Sequence, residues 1–571
     1  MNSLFLPPRE PRSHSVSAWL LALGLPLCAS LVLLLPFYWR GNASGHDFEF
    51  HVASWLDVAY QWKRGILFPH WTAWTNYGFG EPRYIFYPPL SWLLGASLCS
   101  LLPGEWVPAT FILLTQTLAG LSAFILLRRL VPGTAALFAA VFYSANPYAL
   151  LNSYVRSDFA EQLAMAILPL LLLGTLSLAR IIDNNRSDIA NIPGFAVPFA
   201  AIWLCNAPAG VIASYSVSLL FVWTFYIHRS LKLGLHCLLG LVLGFGLAGF
   251  YLVPAAYEQR WVNIGQALSS GLVPSENFLF TLGTDVEHAW FNFIASFCAL
   301  LLILLMLLAA LASKRFSGRF ETVHSKAWNG LLLLGAAATL LMFRFTEPIW
   351  PYLPKLRFIQ FPWRWMSIIA LLACCFLAAA MAQKRPLVWF LFVLTLSVPF
   401  GYFLAQNTWW DPEDMPAQQA AIKNGLGFEG TDEYDPVGDD HLDLPKHAPL
   451  AAFQANGAAD DADEQTAGKG TLTIEHWSTK RLAVHVESPI ATGIALRLLN
   501  YPAWRVEVNE KVVVPDHVEG TAQMVVPVPE GKSEVRVEFQ RTRDRTAGIA
   551  FSLISLAVVL WLLVANRHRA S

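Results

Sequence analysis

The feature that most constrains this chain is a succession of apolar runs, each long enough to cross a bilayer, joined mostly by short polar loops. A helix needs roughly 20 residues to cross about 30 Å of hydrocarbon. In lipid its backbone must satisfy its own hydrogen bonds, so each run is read as a helix. Twelve spans are predicted, at 17–38, 106–127, 133–150, 161–180, 192–206, 208–227, 233–253, 289–312, 327–344, 364–382, 386–404 and 547–566. The block 192–227 is divided because Asn206-Ala207-Pro208 interrupts it and one span would not need that length. The first segment has a longer apolar stretch than a cleaved signal peptide needs, and it reads as an anchor. Composition agrees: 55% hydrophobic residues, 14% charged and mean hydropathy +0.45 lie far from a soluble globular average. A net charge of −1 provides no global field for nucleic acid. All seven cysteines (Cys28, Cys99, Cys205, Cys237, Cys298, Cys374, Cys375) fall in or beside apolar runs. The polar stretch 405–546 therefore has neither a disulfide framework nor a CxxC metal site.

The segment 90–102 tests the topology. It lies between Pro89 and Pro103, and its 13 residues reach only about 20 Å as a helix, so it is read as a short interfacial or re-entrant helix. Both termini then lie in the cytoplasm. The inside loops carry Arg9, Arg12, Arg128, Arg129, Arg180, Arg186, Arg229, Lys232, Lys314, Arg315, Arg319, Lys326, Lys384, Arg385, Arg567 and Arg569. That is a positive-inside pattern. Facing outward are the loop 39–105, 151–160, 254–288, 345–363 and the hydrophilic region 405–546. The region divides by composition. Residues 405–469 are acidic and rich in Gly and Ala (TDEYDPVGDD, ANGAADDADEQ) and read as an irregular linker. From 470 to 546 the period becomes two (RLAVHVES, WRVEVN, EVRVEFQR), which predicts a small β-sandwich. The final span and tail, 547–571, tie it down. The predicted fold class is thus a polytopic α-helical membrane protein of about twelve spans, with an extracytoplasmic β-sandwich before the last.

Four outward loops hold candidate chemistry. The first opens GHDFEFH, with Asp47 and Glu49. The second holds Arg156, Asp158 and Glu161 in RSDFAE; the third has Glu258 and Arg260; RFIQFPWRW contains Arg357, Gln360 and Arg364. Arginine forks suit a phosphate, and a carboxylate can take a proton from an attacking hydroxyl. Each residue also has an ordinary reading. A loop acid beside a span is commonly just solvated, and His46 and His51 read as interfacial polar residues. Asp158 with Glu161 three residues on makes a capping box. The aromatics of 55–92 form an interfacial belt, and Trp504 reads as sandwich core.

Several stretches carry a resemblance: HDFEFHVASW, GILFPHW, NYGFGEPRYIFYPPL, RSDFAE, PAAYE and RFIQFPWRW, with DEYDP and NYPAWRVEVNEK more weakly. They resemble the bacterial membrane proteins labelled 6-pyruvoyl-tetrahydropterin synthase-related and their YfhO-type relatives. The long first outer loop opening with Asp47 resembles the GT-C superfamily of integral-membrane glycosyltransferases. The pterin label implies no pterin chemistry, and the zinc triad of such enzymes is not found in the sequence. The resemblance implies transfer of a sugar from a polyprenyl-phosphate donor to a glycan, lipid or protein acceptor outside the cytoplasmic membrane, by inversion. It places Asp47 at the catalytic centre as general base. It implies donor-phosphate or substrate contacts from Arg156, Arg260, Arg357, Gln360 and Arg364, with Glu49, Asp158, Glu161 and Glu258 supporting. A divalent metal on Asp158 and Glu161 is left open, because RSDFAE departs from the DxD pattern of oligosaccharyltransferases and the monophosphate-linked subclass can work without one. Two rivals stand beside this reading: a transporter or flippase of lipid-linked saccharides, with charges at mid-membrane and broken helices in repeated halves, and a non-catalytic envelope assembly protein.

Overall fold

A computed structural model describes residues 16–180, 188–283, 285–314, 323–383, 386–438, 444–454 and 470–570. Of the basic residues assigned to inner loops, Arg9, Arg12, Arg186, Arg315, Arg319, Lys384 and Arg385 lie outside the described residues, as do the end of the TDEYDPVGDD stretch and all of ANGAADDADEQ. Among the described residues nine helices are long and apolar enough to cross a membrane, or up to eleven if each of two bent helix pairs is one span. The predicted span 192–206 is a shorter apolar helix, Ile189–Cys205, with Pro193 and Pro198 inside it. The runs predicted at 233–253 and 327–344 are the bent pairs. Leu231–Leu247 turns by 73° into Gly249–Trp261, and Trp328–Leu341 turns by 99° into Arg344–Tyr352. Gly249 supplies the closeness behind the first bend: a Cβ there would lie 3.2 Å from the carbonyl of Gly548 on the last helix. Small residues let backbones approach in this way.

Pro89–Leu101 is a 13-residue helix laid on the first-loop helix Phe48–Trp62. Helix Met366–Met381 is apolar all round because every one of its residues is buried. The first span, Pro386–Gln406 and the last helix are mostly exposed within the protein fold and present apolar side chains outward.

Before the last helix two antiparallel sheets form the sandwich. The larger orders strands Thr471–Trp477, Arg481–Ser488, Gly531–Phe539, Trp504–Val508 and Lys511–Val513; the smaller orders Ala451–Phe453, Thr492–Leu499, Gln523–Val528 and Asp516–His517. The period-two pattern puts Leu482, Val484, Val486, Val506, Val508, Val535 and Val537 inside. Asn509 and Glu510, both at positive φ, turn one hairpin.

The stretch expected as an irregular linker is partly regular. Trp410–Asp411 pairs with Asn42–Ala43, Asp414–Lys423 is helical, and Ala451–Phe453 pairs with Thr492–Leu499. An Ala- and Gln-containing decapeptide favours helix, and a sheet edge recruits the nearest extended segment. The sandwich also joins the first loop: Trp71, Phe79, Ile85 and Phe86 share one apolar cluster with Tyr434, Tyr501 and Trp504. A buried brace fixes the arrangement from below. Glu258 receives Arg545 through two bonds of 2.7 Å and the Tyr501 hydroxyl at 2.5 Å.

Candidate active site

Asp47 stands where an acid ordinarily caps a helix, just before Phe48–Trp62, yet its side chain makes no capping bond. Its backbone N–H donates to the Arg156 carbonyl at 2.9 Å. Its carboxylate, 39% exposed, lies 3.5 Å from Nη2 of Arg156. The approach needs Gly45, because a Cβ at that position would come within 2.2 Å of the Val155 carbonyl oxygen. Ser157 completes the joint, accepting from the Gly45 N–H at 3.0 Å and donating to the Ala43 carbonyl at 2.6 Å.

Arg156 ends an unusual turn. Residues Asn152–Arg156 form a π-helix, and Ser157 follows in the left-handed region at φ 54°. Such bulges re-aim a side chain out of the regular helical register. Tyr148, Asn152 and Arg156, four apart, thereby converge. Nη1 of Arg156 donates to Asn152 Oδ1 at 2.7 Å and to Glu161 Oε2 at 2.8 Å, and Nη2 donates to Asp158 Oδ2 at 2.8 Å. Its guanidinium lies 4.7 Å from the centre of the Trp363 ring. Tyr148 donates to Glu161 Oε1 at 2.5 Å. Arg364 closes the cluster from the start of its span, 3.5 Å from Asp158 Oδ2 and 3.4 Å from Glu161 Oε2.

Asp158 does two things at once. Oδ1 caps the following helix at the Glu161 N–H, 2.8 Å away, while Oδ2 faces the arginines. Glu161 does not reach back as a capping-box partner; Arg156, Arg364 and Tyr148 hold it. Burial would push the Asp158 carboxyl up, but Arg156, the His51 ring and Arg364 hold it well below the usual carboxylate range. With two guanidinium groups on the oxygens of Asp158 and Glu161, this pair as it stands does not fit a divalent ion, and among the described residues no three His, Cys, Asp or Glu side chains are grouped to hold one.

The structure brings together Asp47, Arg156, Asp158, Glu161 and Arg364. The other expected residues stand apart. Glu49 projects from the helix, its carboxyl pushed up by partial desolvation and then by the nearby Asp414, Glu429 and Asp411. Glu258 belongs to the Arg545 brace. Arg260 is exposed on the rings of Tyr257 and Trp261, and Arg357 is also exposed. Gln360 donates to the Ala267 carbonyl at 2.9 Å. Sequence reasoning missed Tyr148 and Asn152, although their spacing of eight and four residues before Arg156 was a usable signal. It also missed Asp57. That buried carboxylate accepts from Gln61, Tyr84 and the backbone N–H groups of Ala73 and Trp74, and so ties the first loop to its helix.

The fold and site define a polytopic helical membrane protein that carries a β-sandwich before its last helix and a buried arginine–carboxylate cluster where the first loop meets two spans. More narrowly, the sequence matches the family described as 6-pyruvoyl-tetrahydropterin synthase related membrane proteins over residues 84–409. That is more than half of the chain, and the chain belongs to this family. The match includes Arg156, Asp158, Glu161 and Arg364 and begins beyond Asp47. No curated protein sequence matches. Among solved structures, the chain is similar to the Archaeoglobus fulgidus oligosaccharyltransferase in its apo form, at 13% identity and TM-score 0.42, covering 69% of this chain and 56% of that one. It thus spans little more than half the length of that enzyme. It is also similar to ArnT from Cupriavidus metallidurans bound to undecaprenyl phosphate, at 12% identity and TM-score 0.38, covering 72% and 73%. A third is the archaeal oligosaccharyltransferase AglB from Archaeoglobus fulgidus with an inhibitory peptide and a dolichol-phosphate, at 14% identity and TM-score 0.36, covering 68% and 56%.

Proposed function

We propose that this chain is a GT-C-type inverting glycosyltransferase that moves a sugar from a polyprenyl-phosphate donor to an acceptor on the outer side of the cytoplasmic membrane. The observation that carries the reading is the Asp47 carboxylate: partly exposed, not used for capping, and held against a buried guanidinium by backbone contacts on both sides. A fixed, accessible carboxylate suits a general base. In a single displacement Asp47 takes the proton of the acceptor hydroxyl as its oxygen bonds to the anomeric carbon. The bond from that carbon to the phosphate oxygen breaks, and its electron pair leaves with the phosphate. The leaving phosphate needs nearby positive charge rather than a proton. Arg156 and Arg364, buried and already held by acids, set the positive field at the reacting centre; the exposed Arg260 and Arg357 stand apart from Asp47 and contact the substrate away from the bond that breaks. On this reading the termini face the cytoplasm, the site and sandwich face outward, the membrane domain runs 1–404, the sandwich takes in the edge strand Ala451–Phe453 together with 470–546, and 547–571 returns to the membrane.

The test is to incubate purified protein with a panel of polyprenyl-phosphate sugars and to follow release of polyprenyl phosphate. A second reading, a transporter of lipid-linked saccharides, draws on the two bent helix pairs. It predicts movement of intact donor across proteoliposomes without cleavage.

A further inference from the structure

The sandwich and the far end of the first-loop helix enclose a cleft of about 230 Å³ that none of the Asp47 cluster lines. Tyr60, Arg64, Trp71 and Trp74 come from the first loop, and Trp477 and Trp504 from the sandwich. The volume matches the liquid share of roughly eight waters and falls below that of typical drug-sized pockets. It suits one small ring. Buried indole N–H groups ordinarily find an acceptor. Here the Nε1 atoms of Trp74 and Trp504 are buried without a partner among the described residues, although Trp504 is only 5% exposed. Both nitrogens are sealed from the cleft, which these side chains line with their carbon edges and faces. The guanidinium of Arg64 lies 3.6 Å from the Tyr60 ring centre at the rim, and no acid is among the lining residues.

We infer that this cleft binds a pyranose ring of the acceptor, a neutral or acidic sugar, which rests on the transferase reading above. Indole faces are electron-rich and receive the C–H edge of a sugar ring, and the half-buried Trp74 and Trp477 offer such faces beside Tyr60. A cationic amino sugar is disfavoured beside Arg64 with no acid to balance it. The helix Phe48–Trp62 sets Tyr60 roughly 20 Å from Asp47 at its helical rise. One ring cannot occupy both places, so an acceptor held here whose hydroxyl attacks the donor beside Asp47 is an oligosaccharide chain. Asp57 fits this assignment: by accepting from the backbone N–H of Trp74 it fixes one wall of the cleft.

The test is saturation-transfer difference NMR on the full-length protein in detergent, with the methyl glycosides of glucose, glucuronic acid and glucosamine as probes. The glucoside or glucuronide gives saturable signals from its ring C–H groups, and the glucosaminide is weaker. The half-buried variant Trp477→Ala weakens binding roughly 3- to 10-fold, and Trp74→Phe, which keeps a smaller ring at the cleft wall, weakens it less. Thermal melting checks that both variants are folded; Arg64→Ala, at an exposed position, replaces either one that is not and weakens glucuronide selectively. No saturable binding by the glucoside or glucuronide, or binding unchanged in the folded cleft variants, overturns the assignment. The two readings fail separately. Glycoside binding without any transfer sinks the transferase and leaves the cleft standing, whereas transfer without glycoside binding does the reverse.

Discussion

Replacing Gly45 by alanine isolates the contact on which the site depends. The position is not among the positive-φ glycines, so alanine carries no backbone penalty there. The whole effect is steric. Its Cβ would meet the Val155 carbonyl oxygen at 2.2 Å, where ordinary contact begins at 3.4 Å, and backbone atoms of Arg156 crowd it too. No rotamer change relieves a clash with backbone, so the two strands of chain must part by about 1.2 Å. That movement stretches the Gly45 N–H bond to Ser157 and the Asp47 N–H bond to Arg156. Overpacking and the two weakened bonds together destabilise by about 2–4 kcal/mol. A shift near 1 Å at a reacting group lowers turnover by about 10²-fold. The assay is thermal melting in detergent, followed by transfer on the protein that remains folded. Gly265→Ala is the control, since a Cβ there has nothing within 4 Å. If Gly45→Ala melts with wild type and turns over normally, the close approach of the first loop to Arg156 is wrong.

Other outcomes follow from the same contacts. Arg545→Met strands the buried Glu258 carboxylate and should destabilise by about 3–5 kcal/mol, measured by melting, whereas the double replacement Glu258→Leu with Arg545→Met recovers most of the loss. The Asp57 carboxyl is raised by burial from 3.8 to about 6 despite its hydrogen bonds. Folding therefore favours its protonated form, and the penalty for ionising it, full above the folded value, disappears as pH falls toward the ordinary one. Wild type should gain about 2 kcal/mol over Asp57→Asn between about pH 7 and pH 4; parallel pH profiles in melting would contradict this. In a cysteine-free background, Glu49→Cys, Arg357→Cys and Val437→Cys should react with an impermeant maleimide in intact cells, after permeabilising any outer membrane. Arg129→Cys and Lys232→Cys should not, and the opposite pattern would invert the topology.

The helices were legible because hydrocarbon demands long apolar runs, and the sandwich because its period of two survives burial on one face. The bends at Ala248 and beyond Leu341 were not, since hydropathy over a window is blind to direction. Asp47, Arg156, Asp158, Glu161 and Arg364 could be singled out as outward-loop charges, but their convergence depends on a π-turn and on Gly45, neither of which composition reveals. Glu258 looked like its neighbours in kind. Only the three-dimensional fold shows that Arg545, nearly three hundred residues on, holds it. Arg260 and Arg357 share the residue type of Arg156 and Arg364 and differ in burial, which no local pattern encoded.

The central claim is that Asp47 is the base of a sugar transfer, and Asp47→Asn tests it most directly because it keeps size and hydrogen-bonding reach while removing the basic oxygen. With a donor identified from the panel, turnover of the purified variant should fall by roughly 10²- to 10⁴-fold while its melting temperature stays at that of wild type, and Glu49→Gln should change turnover far less. Turnover close to wild type in Asp47→Asn would contradict the account.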